Sequence, residues 1–211
     1  MKSIVLFAAA TLLSASAMAS VPVLSNGGFE TTTVGANDFS YGFSMAGVAA
    51  DWTFYSNAGV SGADSAFGGV ASSGNYFALL QSHEHDAAGS MSQSFTSTGT
   101  GTYSIDFDLS ARPSHDSGEQ VIVSLDGTTI GTYTSTNTWT ALSASTTIGA
   151  GSHVLTFTGL NAAGVDSTAY LDNIRISAAA AVSAVPEAST YAMLLAGLGL
   201  IGFVARRRNA A

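Results

Sequence analysis

The sequence predicts an all-β fold, an antiparallel β-sandwich, on three observations. Segment after segment of its central part alternates apolar and polar residues with period two, the mark of a strand with one buried face. The chain holds 23 glycines and many Ser and Thr residues, and these cluster between the alternating segments as turns. Lys and Glu at helical spacing are almost absent from the same region, so no surface helix is written into it.

Nine segments carry the strand pattern, at residues 52–55, 76–80, 91–95, 103–109, 121–125, 129–134, 139–142, 153–157 and 170–176. In the fourth, Tyr103, Ile105, Phe107 and Leu109 fall on one face while Asp106 and Asp108 fall on the other. In the fifth, Val121, Val123 and Leu125 share a face, and Asp126-Gly127 then supplies a two-residue hairpin turn into the sixth. Leu155 and Phe157 share a face of the eighth, and Tyr170, Asp172, Ile174 and Ile176 share one of the ninth. Short strands at this spacing favour a jelly-roll topology.

The two ends differ from this body. Lys2, an apolar run over residues 4–13 and small residues ending in Ala17-Met18-Ala19 lay out a secretory signal peptide, with cleavage after Ala19. The partners such a leader implies are the Sec translocon and signal peptidase. Residues 188–205 form a second apolar stretch, followed by Arg206, Arg207 and Arg208, and read as a transmembrane helix with its arginines held on the cytoplasmic side. The expected organisation is a signal peptide over 1–19, a β-sandwich domain over 20–177, an Ala/Ser/Val linker over 178–185 and a sorting segment over 186–211.

Composition excludes several function classes. Between the two ends the body carries 13 acids against Arg112 and Arg175, a formal charge of −11, which repels phosphate backbones and rules against nucleic acid. The same charge attracts divalent cations. There is no cysteine, so thiol catalysis, disulfides and Cys-based metal sites are excluded. The body lacks lysine and the G-x-S-x-G elbow, and no catalytic residue is assigned. His83-Glu84-His85-Asp86 is the densest cluster of metal-ligand types, but without a third placed ligand it reads as a polar loop rim. Gly197 to Gly202 spells G-x-G-x-x-G inside the apolar tail, where small residues serve helix packing, not dinucleotide binding.

Two resemblances add to this reading. Val185-Pro186-Glu187-Ala188-Ser189-Thr190, then an apolar segment, then Arg206-Arg207-Arg208 resembles the PEP-CTERM sorting signal of Gram-negative bacteria, with Ala188 in place of that family's second proline. The resemblance implies recognition and cleavage by an exosortase from a membrane-held intermediate. Release to the cell surface or extracellular matrix follows, in the company of extracellular polysaccharide. The opening Leu24-Ser25-Asn26-Gly27-Gly28-Phe29-Glu30, Trp52 and the closing Tyr170-Leu171-Asp172-Asn173-Ile174-Arg175-Ile176 resemble galactose-binding-like jelly rolls, which include many carbohydrate-binding modules. In that family a glutamate and an aspartate at the positions of Glu30 and Asp172 help to hold a structural calcium ion.

Asp172, on what alternation makes the inward face, needs compensation for its charge, either from calcium or from backbone amides at a strand end. Trp52, Tyr55, Trp139 and Tyr41 are the aromatic candidates for stacking on a pyranose face, against the commoner use of such rings in a core. The expected function is an exported, non-catalytic polysaccharide-binding or matrix-associated domain. The alternatives are a structural surface or biofilm protein without a ligand site, and a secreted polysaccharide hydrolase.

Overall fold

A computed structural model describes residues 20–42, 48–82, 89–115, 118–160, 166–179 and 188–209. The chain divides into two compact units, Met1–Ala179 and Ala180–Ala211. The first holds eleven strands among its described residues, paired in two antiparallel sheets. They are β1 (Phe39–Tyr41), β2 (Thr53–Tyr55), β3 (Ala58–Gly62), β4 (Tyr76–Ser82), β5 (Ser90–Ser97), β6 (Gly101–Ala111), β7 (Gln120–Leu125), β8 (Thr128–Thr134), β9 (Thr140–Ile148), β10 (Gly151–Leu160) and β11 (Ser167–Ala178). A six-stranded sheet has the order β1-β3-β4-β11-β6-β9, and a five-stranded sheet the order β2-β5-β10-β7-β8. Phe107 of the first meets Phe157 of the second edge to face, ring centroids 5.3 Å apart, in a core shared by both sheets.

Alternation places most side chains as expected. Tyr103, Ile105, Phe107 and Leu109 point into this core from β6, as do Val121, Val123 and Leu125 from β7. The β7–β8 hairpin closes with Leu125 opposite Thr128, and Asp126 and Gly127 both take positive φ, 50° and 78°, as a primed two-residue turn requires.

The structure corrects the reading of β11. A bulge interrupts its pairing with β6 between Asp172 and Arg175, with Asn173 at φ 53°. The extra residue switches faces. Ile174 and Ile176 join the inter-sheet core with Ala169 and Leu171, whereas Tyr170 belongs to a second cluster, on the outer face of the six-stranded sheet. Asp172, two residues from Tyr170 and before the bulge, lies on that outer side, not among Ile174 and Ile176. The opening segment 24–30 is not a strand, but it does meet the last one. Ile174 N–H donates to Gly27 O at 2.9 Å, and a Cβ at Gly27 would overlap Ile174 O, so only glycine fits there.

The second unit contains α1 (Ala188–Asn209), with Arg206, Arg207 and Arg208 in its last turn. The helix is as expected; the membrane span is not borne by it, since among the described residues no helix is long and apolar enough to cross a membrane. Ser189, Thr190, Tyr191 and three glycines dilute its apolar stretch, and the arginines end it.

Candidate functional site

The outer face of the six-stranded sheet carries an aromatic cluster that needs both β4 and β11 to be apolar on both faces. Phe77 and Leu79 of β4 and Tyr170 of β11 point outward, while Ala78, Leu80, Ala169 and Leu171 point inward. The segment between β3 and β4 folds over this face and contributes Phe67. Tyr170 O–H donates to Phe67 O at 2.8 Å, and burial pushes its phenol far up. Trp139 stands half-buried at the margin, 6.2 Å from Phe77 and 6.5 Å from Tyr170 between ring centroids, and its indole N–H donates to Val70 O at 2.9 Å. Phe39 and Tyr41 of β1 close the other margin, both edge-on to Phe67.

A polar row borders these rings. Gln81 of β4 accepts a hydrogen bond from Tyr41 O–H and donates its amide to Asp166 Oδ1 at 3.0 Å. Tyr41 is pushed up to about 12, chiefly by burial, with Arg112 opposing and Asp166 reinforcing the shift. Across from Gln81 in the sheet lies Thr168, buried at 1% exposure, whose hydroxyl has no hydrogen-bond partner among the described residues. Arg112 follows: its backbone N–H donates to Thr168 O, while its guanidinium stacks 4.5 Å from the Phe67 ring centre and donates to Phe67 O and Ala66 O. This cation is committed to holding the covering segment.

Further along the same face the character becomes acidic. Asp172 lies opposite Asp108 across the β11–β6 pair. Asp172 is 0% exposed, and its oxygens accept Ser73 N–H at 2.9 Å and Asn173 N–H at 2.7 Å. Burial pushes its carboxyl up to about 6, the backbone bonds pull it down and Asp108 adds to the rise. Glu30 is exposed and binds the same covering segment, its Oε1 accepting Asn75 N–H at 2.9 Å and Tyr76 N–H at 3.0 Å. Glu30 and Asp172 thus accept different backbone amides of the one segment 73–76. Asp108 in turn accepts Ser72 O–H at 2.6 Å and the Asn173 amide at 2.8 Å.

Of the other candidates, Trp52 is 1% exposed, packs 5.5 Å from Phe29 and donates its indole N–H to Asn26 O at 3.0 Å. It is a core residue, and a ring so enclosed offers no stacking face. Tyr55, 44% exposed, stands on the edge strand β2 of the other sheet, away from Trp139. Ala17, Ala19, Val185, Pro186, Glu187 and the His83–Asp86 cluster lie outside the described residues. Gln81, Asp166 and Thr168 escaped the sequence reading, because nothing in an alternating strand says which of its outward polar residues will border a ring.

The tail decides how the chain is handled. Residues 184–208 match the PEP-CTERM protein-sorting motif. The PEP-CTERM motif marks an exported protein of Gram-negative bacteria. No curated protein matches the chain. Among solved structures the chain is similar to one described as TmCBM61 in complex with beta-1,4-galactotriose, at 17% identity over 76% of this chain and 100% of that chain, TM-score 0.51. That likeness shows the fold. The chain also aligns with the CBM22-1 xylan-binding domain from Paenibacillus barcinonensis Xyn10C, at 16% identity, 69% and 98% coverage and TM-score 0.45. A family 35 carbohydrate binding module from Clostridium thermocellum aligns at 16% identity, 61% and 93% coverage and TM-score 0.41.

Proposed function

We propose that this chain is an exosortase-sorted surface or extracellular-matrix protein whose β-unit, a jelly roll, binds extracellular polysaccharide without catalysis. The observation that carries the reading is the pairing of half-exposed Trp139 and Tyr41 with the Tyr41–Gln81–Asp166 hydrogen-bonded row on one sheet face. Sugar recognition needs this combination, an apolar ring face for a pyranose and fixed planar polar groups for its hydroxyls. The sorting motif at 184–208 supports delivery to the place where such a ligand is found. The leader over residues 1–19 enters through the Sec translocon and is removed by signal peptidase. Cleavage near Pro186-Glu187 then removes the sorting segment.

The test is affinity electrophoresis of the protein through gels containing a panel of polysaccharides. At least one polymer is expected to retard the wild type, and Trp139→Ala and Tyr41→Ala should weaken that retardation. A wild type that binds nothing on a broad panel supports a purely structural role, and release of oligosaccharides identifies a hydrolase. Intact mass of the protein from its host should show loss of residues 1–19 and of the segment beyond the Pro186-Glu187 region.

A calcium ion shared by Glu30 and Asp172 would have to use lone pairs beyond those already given to amides, together with main-chain or water oxygens, since calcium takes 6–8 oxygen ligands. Among the described residues no group of three or more His, Asp or Glu side chains is placed to hold a metal. Melting with calcium and with chelator decides the point. A shared ion raises the wild-type Tm by several degrees and leaves Asp172→Asn unmoved; equal wild-type melting leaves the amides as the whole compensation.

A further inference from the structure

We infer that the polysaccharide recognised by this face is a polymer of amino sugars carrying free ammonium groups. This deepens the function proposed above and rests on it. Charge is the first ground. The body bears 13 acids and two arginines, so an anionic polymer meets repulsion wherever it approaches and a cationic one is drawn in.

Disposition of the two cations is the second ground. Arg112 is stacked on Phe67 and gives its Nε and Nη2 to two carbonyls of the covering segment, so the edge that would grip a carboxylate side-on is taken. Arg175 lies 3.6 Å from Asp106, further along the sheet. Among the described residues Asp166 has no cation within ion-pairing distance, and the hydrogen bond it makes there is the one Gln81 donates to Oδ1. A half-exposed carboxylate beside Tyr41 is a receptor for an N–H donor and is of no use to a carboxylate.

The third ground is independent of charge. The Thr168 hydroxyl is buried on the same face, directly across from Gln81, and has no partner among the described residues. Buried polar atoms in folded proteins are nearly always satisfied, so this one marks a position where a bound group, directly or through water, completes the bonding. Successive residues of an amino-sugar polymer supply the whole set: a ring face for Trp139 at one margin, hydroxyls for Gln81 and Thr168, and an ammonium for Asp166 at the other.

The experiment measures binding of the full-length chain, in non-ionic detergent, to three probes: a glucosamine oligomer, its fully N-acetylated counterpart of the same length and linkage, and a polyuronate. The glucosamine oligomer is expected to bind at least about tenfold more tightly than the acetylated one, one charge-assisted hydrogen bond being of that order. Asp166→Asn should collapse that ratio toward one, and Thr168→Val should weaken both sugars. Melting curves show whether each variant is folded, and Asp166→Glu, which keeps the charge, should retain part of the preference. Equal binding of both sugars leaves the polysaccharide function standing and overturns the ammonium specificity. Preference unaffected by Asp166→Asn and abolished by moderate salt also overturns it, as general attraction to an acidic body. Binding of the polyuronate alone overturns it too. Binding of none of the probes nor of any polymer on the panel removes the function and the inference together.

Discussion

Acidifying the protein from pH 7.5 to 5 should stabilise it, and Asp172 is the main reason. Its carboxyl titrates near 6 in the folded protein against an ordinary value of 3.8. A folded value above the unfolded one means that the native state holds the proton more tightly. Stability withheld at high pH therefore returns as the pH falls through 6 toward 3.8. With the group fully charged the penalty is about 3 kcal/mol, at about 1.36 kcal/mol per pH unit. Roughly 1.4 kcal/mol of it returns between pH 7.5 and 5. For a β-unit of this size that is a rise in Tm of roughly 3–6 °C. The assay is thermal unfolding of wild type and Asp172→Asn across this window at fixed ionic strength. Asn keeps the shape but turns an NH2 toward one of the two amide donors, so the variant melts lower throughout; the difference in slope carries the result. His153, raised by its hydrogen bond to Asp126, loses its stabilising effect as pH rises and tilts both proteins alike. Parallel curves for the two proteins would refute the reasoning, since they would mean that Asp172 has the same affinity for a proton folded and unfolded.

Glu119 is buried at 1% exposure between Ser82, whose hydroxyl reaches it at 2.5 Å, and Ser167, and its carboxyl is pushed up by burial. Glu119→Gln can bond both hydroxyls without a charge and should melt at or above wild type at pH 7.5, while Glu119→Ala strands both and should lower stability by about 3 kcal/mol in denaturant titration. Gly27→Ala places a methyl against Ile174 O and should cost roughly 3 kcal/mol or more, read in the same titration as a lower midpoint with unchanged slope. Gly127→Ala meets open space but a φ of 78°, so a loss of about 1 kcal/mol is expected with the hairpin intact by circular dichroism.

Strands facing core on one side and water on the other were readable from sequence: β6 and β7 alternate cleanly, and Asp126-Gly127 announces its own turn. Strands buried on both faces were readable only in part: β4 and β11 showed as strands but not which way their side chains face, and β1 and β3 did not show at all. β3 is short, rich in glycine and buried throughout, and β1, paired with it, has three residues, so neither leaves a periodic trace. In β4, Phe77, Ala78, Leu79 and Leu80 are apolar in succession, which hides the fact that two of them belong to a second cluster beneath a folded-over segment. In β11, counting by twos through residues 170–176 crosses the bulge at Asn173 and puts Asp172 on the wrong side. Gly27 brings the segment that bears Glu30 to the last strand, at Ile174.

The closeness of the two ends of the β-unit has a consequence for how it is displayed. Ser20 touches Thr98 and Tyr103, and Ala179 N–H donates to Thr102 O, so the chain enters and leaves beside the turn that opens β6. Gln81, Thr168 and Arg112 lie at the far end of that strand, about 30 Å away at roughly 3.4 Å per residue. The chain therefore leaves the β-unit at the pole opposite Gln81, Thr168 and Arg112. Removing what precedes Ser20 or follows Ala179 touches the pole at Thr98, Thr102 and Tyr103 and leaves the polar row at the other pole as it is.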